Sequence, residues 1–147
     1  MLKILVLIFL FSSSHWIVAQ DLKTIVIVDF VKVKNEKKKE AIFYYENNWK
    51  LYRDAMLKEG FIKSYRLLEV KADSTGNFDL ILMTEYKDSI DFKKSEERFE
   101  AVMKTNRPNG VLLLNEKKPA EFRQNVFVKF GETVFSSDKI RKKRHGK

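Results

Sequence analysis

The chain has 147 residues, 44% hydrophobic and 13% aromatic, which suits one domain with a real core and is too apolar for a disordered protein. It has no cysteine and two histidines, His15 and His145, which excludes disulfides, thiolate metal sites, a cysteine nucleophile and a lipid anchor on cysteine. The formal charge is +9, but residues 139–147 hold six Lys or Arg and no acid, so residues 21–138 carry only +2.

At the amino end, Lys3 precedes an apolar run of eight residues, Ile4–Phe11, which Ser12, Ser13 and Ser14 interrupt. Ala19 then offers a small residue for a cut near Ala19–Gln20. Charge, apolar run and small residue in this order predict that residues 1–20 are a signal peptide. The protein is expected to be exported, to the periplasm or the extracellular space. A run of eight is too short to span a bilayer, so no transmembrane anchor is expected after cleavage. His15 leaves with the peptide.

Thr24–Val33 is rich in β-branched residues and free of Gly and Pro, which predicts a strand. Ile25, Ile27, Val31 and Val33 fall on one face, interrupted by Asp29, and Val26, Val28 and Phe30 fall on the other. A strand apolar on both faces has to be covered on both. Asn35 is the expected N-cap of a helix over residues 36–59, with an inward stripe of Ile42, Tyr45, Trp49, Tyr52 and Met56. Gly60 stands where a left-handed C-cap residue is needed.

Strands are expected over 61–71 and 78–86, joined by the turn cluster 73–77 into an antiparallel hairpin. Asp88 is the expected cap of a second helix, with Asp91 in the capping-box position and Phe92, Phe99, Val102 and Met103 turned inward. Residues 107–110 (Arg-Pro-Asn-Gly) end it. Residues 111–114 read as either a short helix or extended chain, and Pro119 starts a further segment. Residues 124–135 read as the last strand, with Gly131 as a bulge.

The order β-α-β-β-α-β is the split βαβ pattern of a ferredoxin-like antiparallel sheet, in the α+β class, with two helices on one face. The other face, read as carrying Ile25, Ile27, Ile81 and Met83, is larger than the apolar patches soluble monomers tolerate. A second copy of the chain is its expected cover. With these two-sided strands and the helix-Gly-strand junction at 56–61, residues 24–135 resemble the dimeric α+β barrel superfamily. The resemblance implies a homodimer whose sheets pair face to face. The superfamily includes small monooxygenases, isomerases, haem-handling proteins and members of unknown role, and the fold alone does not choose among them.

Residues 21–138 are thus read as a single α+β domain and 139–147 as a basic, disordered tail able to make weak contact with anionic surfaces. With the charge confined to the tail, no nucleic-acid partner is expected. His145 lies in the tail, so the body lacks the histidine that haem-binding relatives would use. No cofactor and no metal are expected. Glu96, Glu97 and Glu100 read as a solvated helix face beside Lys93 and Lys104.

A cleft between sheet and helices remains, suited to an apolar or aromatic small molecule. Asp29, Tyr65 and Glu85, if turned inward, are buried polar groups in need of partners such as Lys63 or Lys129. A buried carboxylate with a raised pKa is a candidate base. Trp49 completes the candidate ligand-binding set. Cofactor-free monooxygenases of the superfamily hold polycyclic aromatics with Trp, Asn and Arg, and Asn47, Asn48, Trp49 and Arg66 match them by residue type. Each residue also has a plainer role: ion pairs at sheet ends or the dimer seam for the polar three, core packing for Trp49. The preferred reading is an exported small-molecule-binding or interaction domain without recognisable catalytic residues. The alternative is a cofactor-independent monooxygenase- or isomerase-like enzyme, which requires Asp29, Trp49, Tyr65 and Glu85 to converge on one cavity rather than scatter over both sheet faces.

Overall fold

A computed structural model describes residues 24–71, 73 and 76–137. The expected signal peptide, the basic tail and both histidines lie outside these residues. Among the described residues, β1 (Ile25–Val33), β2 (Ser64–Glu69), β3 (Leu80–Tyr86) and β4 (Arg123–Glu132) form one sheet in the order β2-β3-β1-β4. Every neighbouring pair is antiparallel. Each helical connection therefore skips one strand, which is the ferredoxin-like topology. The first connection comprises α1 (Lys38–Tyr44), a π-helical segment (Tyr45–Lys50) and α2 (Leu51–Lys58). The second comprises α3 (Ser89–Lys93) and α4 (Ser95–Asn106), and a short α5 (Pro119–Phe122) leads into β4.

The core lies between the sheet and this helical layer. Ile27 of β1 and Tyr86 of β3 pack with Tyr52, Met56, Ile62 and Val102. Val31, Leu80 and Leu82 pack with Tyr45, flanked by Ile42 and Trp49. Burying a side chain such as Met56 or Ile62 stabilises the fold by roughly 1.5–3 kcal/mol. Gly60 closes α2 with a φ of +72°, the left-handed turn its position requires.

Several local expectations are corrected. Asn35 does not cap the first helix. It adopts a left-handed φ of 53°, and its amide donates to the Glu121 carbonyl at the end of α5. That carbonyl has no partner within so short a helix, and the helix starts at Lys38 with Lys37 in the cap position, two residues beyond Asn35. Asp91 is not a capping-box acid either: Asp88 alone accepts from the Ile90 and Asp91 amides, while the Asp91 carboxylate takes Arg98 at 2.7 Å. The second helix breaks at Lys94. Of the two readings of residues 111–114, the helix is not formed, and the stretch joins no strand of the sheet.

Two corrections bear on which side chains meet. Val28 lies opposite Met83 and Phe30 opposite Ile81, whereas Ile27 lies opposite Thr84. Directly paired residues share a face, so Val26, Val28 and Phe30 join Ile81 and Met83 on the open face, and Ile27 faces the helices. The bulge is not at Gly131, which pairs in register with Val26. Phe30 pairs with Phe127 and Val31 with Asn125, so the ladder skips Val126. This turns Arg123 and Asn125 towards the helices and Phe127 towards the open face, where Phe30, Phe78 and Phe127 form an aromatic cluster.

Candidate functional site

Asp29 sits between Ile27 and Val31 on the helix-facing side of β1, opposite Leu82. The skipped residue in β4 brings Arg123 and Asn125 to the same side. From above, the stripe of the first helix lowers Tyr45, Trp49 and Tyr52, and Arg53 follows on its flank. Phe99 and Met103 of α4 and Val111 of the following loop close the far wall. Together these groups line a cavity of about 300 Å³.

The walls are aromatic and the polar groups are few. Arg53 lies 5.4 Å from the Trp49 ring centroid and 5.2 Å from that of Phe99, held between them by cation–π attraction. Its Nε donates to Thr84 Oγ1 at 3.0 Å. Arg123 stacks over Tyr44 at 4.9 Å and Tyr45 at 5.6 Å, and its Nη1 donates to Asn125 at 3.2 Å. Neither guanidinium comes within ion-pair distance of Asp29. Burial pushes the Asp29 carboxyl above the usual carboxylate range, against the opposing pull of Arg53 and Arg123. Burial likewise raises the Tyr45 phenol to about 12, with Arg123 pulling the other way. Arg123 lies against that hydroxyl without the geometry of a hydrogen bond. Tyr45 Oη and Arg123 Nε are both buried and unpartnered.

Asn48, 1% exposed in the π-helical segment, ties down the loop over the cavity. Its Oδ1 accepts from the Leu112 amide at 2.7 Å, and its Nδ2 donates to the Leu112 carbonyl at 2.8 Å and to the Tyr44 carbonyl at 2.9 Å. A side-chain amide here pairs with a backbone as a neighbouring strand would. Wide π turns of this kind are found at functional sites more often than elsewhere.

Asp29 and Trp49 share the cavity. Tyr65 stands behind Trp49, ring against ring at 5.4 Å, with its hydroxyl donating to Asp54 on α2. Glu85 is on the opposite face of the sheet. There it accepts from Lys63 Nζ at 2.8 Å, Ser64 Oγ at 2.8 Å and Thr133 Oγ1 at 2.7 Å. Burial alone would raise its pKa, but these three donors outweigh it and hold the carboxyl below the usual range. The four residues therefore do not converge. Arg66, matched by residue type, is exposed on β2 opposite Met83, and the arginine that meets Trp49 is Arg53. Arg53, Arg123 and Tyr45 are not among the residues the sequence marks as a site, and Asn48 is marked by residue type alone. For Arg53 the available signal was its place four residues after Trp49. For Arg123 there was none, because the skipped residue decides which way it points.

Strand order and cavity together define the class: a ferredoxin-like α+β domain with an aromatic-walled pocket between sheet and helices. No family model and no curated protein matches the chain. Among solved structures it is similar to HapK from Hahella chejuensis, at 10% identity over 76% of this chain and 94% of that one, with a TM-score of 0.49. It is also similar to an ethyl tert-butyl ether D family protein from Bacillus halodurans, at 13% identity over 77% and 100%, TM-score 0.46. A dimeric protein of ferredoxin-like fold and unknown function from Bacteroides fragilis matches at 14% identity over 77% and 96%, TM-score 0.45. These likenesses are distant, and the fold assignment rests on the strand order and pairing.

Proposed function

We propose that the protein is a homodimeric α+β barrel that binds an apolar or aromatic small molecule between its sheet and its helices. The observation that carries this reading is the cavity of about 300 Å³, walled by Tyr45, Trp49, Tyr52 and Phe99 over Asp29 and Leu82. The homodimer is supported by the open face, where, among the described residues, no helix packs over Val28, Phe30, Ile81 and Met83, and by the exposed Phe127. Export through residues 1–20 belongs to the same proposal and rests on their charge and apolar pattern; amino-terminal sequencing of the protein recovered from its host tests it. The central test is calorimetric titration of 2-naphthamide, a neutral aromatic, into wild type and into the cavity-filling Met103→Trp. Binding to wild type and its loss in the variant are expected. Equal binding to both would overturn the reading.

Asp29 favours a second reading. A carboxylate raised by burial, unpaired and inside an aromatic cavity is placed to accept a proton from an acidic C–H of a bound ligand. This enzyme reading rests on Asp29 alone, since Glu85 faces away. Exchange of ligand protons with solvent deuterium, abolished in Asp29→Asn while binding persists, is the expected signature. Exchange at an unchanged rate in that variant would remove it.

A further inference from the structure

We infer that the ligand of this cavity is an aromatic carboxylate, its ring between the aromatic walls and its carboxylate against Arg123 and Tyr45; this rests on the binding function proposed above. Three charged side chains line the cavity: Asp29, Arg53 and Arg123. One positive charge is therefore uncompensated within it, and burial makes such a surplus costly unless an anion joins it.

The two guanidiniums differ in what they still have to offer. Arg53 is committed, with Nε on Thr84, Nη1 on the Met56 sulfur at 3.4 Å and its plane between two rings. Arg123 spends Nη1 on Asn125, while its Nε is buried without a partner. The Tyr45 hydroxyl beside it is in the same condition. Buried polar atoms left without partners are few in folded proteins. Here two of them, both donors and both on residues lining one cavity, ask for one acceptor.

A carboxylate supplies what is missing. Its two oxygens match the planar guanidinium fork and leave lone pairs for the phenol. Its single negative charge equals the surplus. A phosphate dianion would exceed that surplus and meet Asp29 in the same cavity, and a cation would meet two guanidiniums. Stacking on Tyr44 and Tyr45 holds Arg123 in place before any ligand arrives, so little ordering is required on binding.

The test is calorimetric titration of a matched pair, 2-naphthoate and its neutral amide 2-naphthamide, into the full-length chain. Wild type is expected to bind the carboxylate about tenfold more tightly, the discrimination of one charge-assisted hydrogen-bonded contact. Arg123→Gln should bring the ratio close to one, the carboxylate losing about tenfold more affinity than the amide. Tyr45→Phe, which deletes a hydroxyl that has no partner in the free protein, should keep or raise the melting temperature and still weaken the carboxylate several-fold. Equal affinities for both probes in wild type would overturn the inference and leave the binding function standing. Binding of neither probe would overturn both. A carboxylate preference that survives both substitutions would overturn the assignment to Arg123 and Tyr45.

Discussion

Replacing Asn48 tests how the cavity loop is held. Asn48→Ala deletes three hydrogen bonds, two of them to Leu112 across 64 residues of sequence. At about 1 kcal/mol net for each bond, the loss is about 3 kcal/mol. Leu112 is 43% exposed, so its freed amide and carbonyl recover water and return part of this. The void left by the amide, roughly 30 Å³ at about 24 cal/mol per Å³, adds back about 0.7 kcal/mol. A destabilisation of about 2–3 kcal/mol is therefore expected in urea unfolding, together with a selective loss of hydrogen-exchange protection at the Leu112 amide. Asn48→Asp sharpens the test. It keeps the acceptor for the Leu112 amide but points its other oxygen at two carbonyls 2.8–2.9 Å from the present Nδ2. The new carboxyl must be protonated to donate there, so its pKa in the folded state is raised. Its stabilising form is then fully present below the ordinary carboxylate range and lost as pH rises through the raised value. The aspartate variant should be more stable than the alanine variant at pH 4 and less stable at pH 7. A loss below about 0.5 kcal/mol in Asn48→Ala with unchanged Leu112 protection, or an aspartate variant indifferent to pH, would refute the tether.

Glu85→Gln should cost about 1–2 kcal/mol at pH 7, a figure reduced for the solvent reaching the sheet rim. The folded pKa of Glu85 is lowered, so its contribution is present above the ordinary carboxylate range and disappears as pH falls through the folded value. The difference between wild type and variant in urea unfolding should therefore shrink at pH 3, and a difference constant with pH would contradict the assignment. Asp29 has the opposite sign: its folded pKa is raised, so stability is lost as pH rises from the ordinary carboxylate range through that value. Asp29→Asn should flatten this limb of the melting temperature against pH, and an unaltered slope would count against burial as the dominant cause. Met83→Lys places a charge in the middle of the open face and should convert a dimer to a monomer by sedimentation velocity, with circular dichroism preserved. A dimer of unchanged affinity would show that this face is not the seam.

The parts of the molecule set by neighbouring residues were legible from sequence. Periodicity exposed the strands and the inward stripe of the first helix, and Gly60 and Asp88 marked boundaries by conformational needs of their own. What depends on pairing between distant strands was not. Alternation divides the residues of one strand into two sets but does not say which set of the next strand joins them, so Ile27 was grouped with Ile81 and Met83 when Val28 and Phe30 are their partners. Asp29 and Trp49 could be singled out because each is anomalous where it stands, a lone acid in an apolar strand and a Trp on a core stripe. Arg53 looked like any charge on a helix flank until Trp49 and Phe99 closed on it. Glu85 looked like a second buried acid, and the lysine named as a possible partner, Lys63, is the one it binds, on the far face.

The unpaired Val126 makes parity in β4 a variable. Before it the odd-numbered residues point at the helices, and after it the even-numbered ones do. Deleting this single residue would give an uninterrupted ladder in which the two halves of the strand obey one parity, so either Arg123 leaves the cavity or Phe127 leaves the open face. No residue lining the cavity need be substituted for its surplus charge to vanish: with Arg123 rotated out, Asp29 and Arg53 balance. A change of one residue in chain length thus becomes, at position 126, a change of ligand class. Related chains could diverge in specificity by indel alone, and comparing them column by column would hide it.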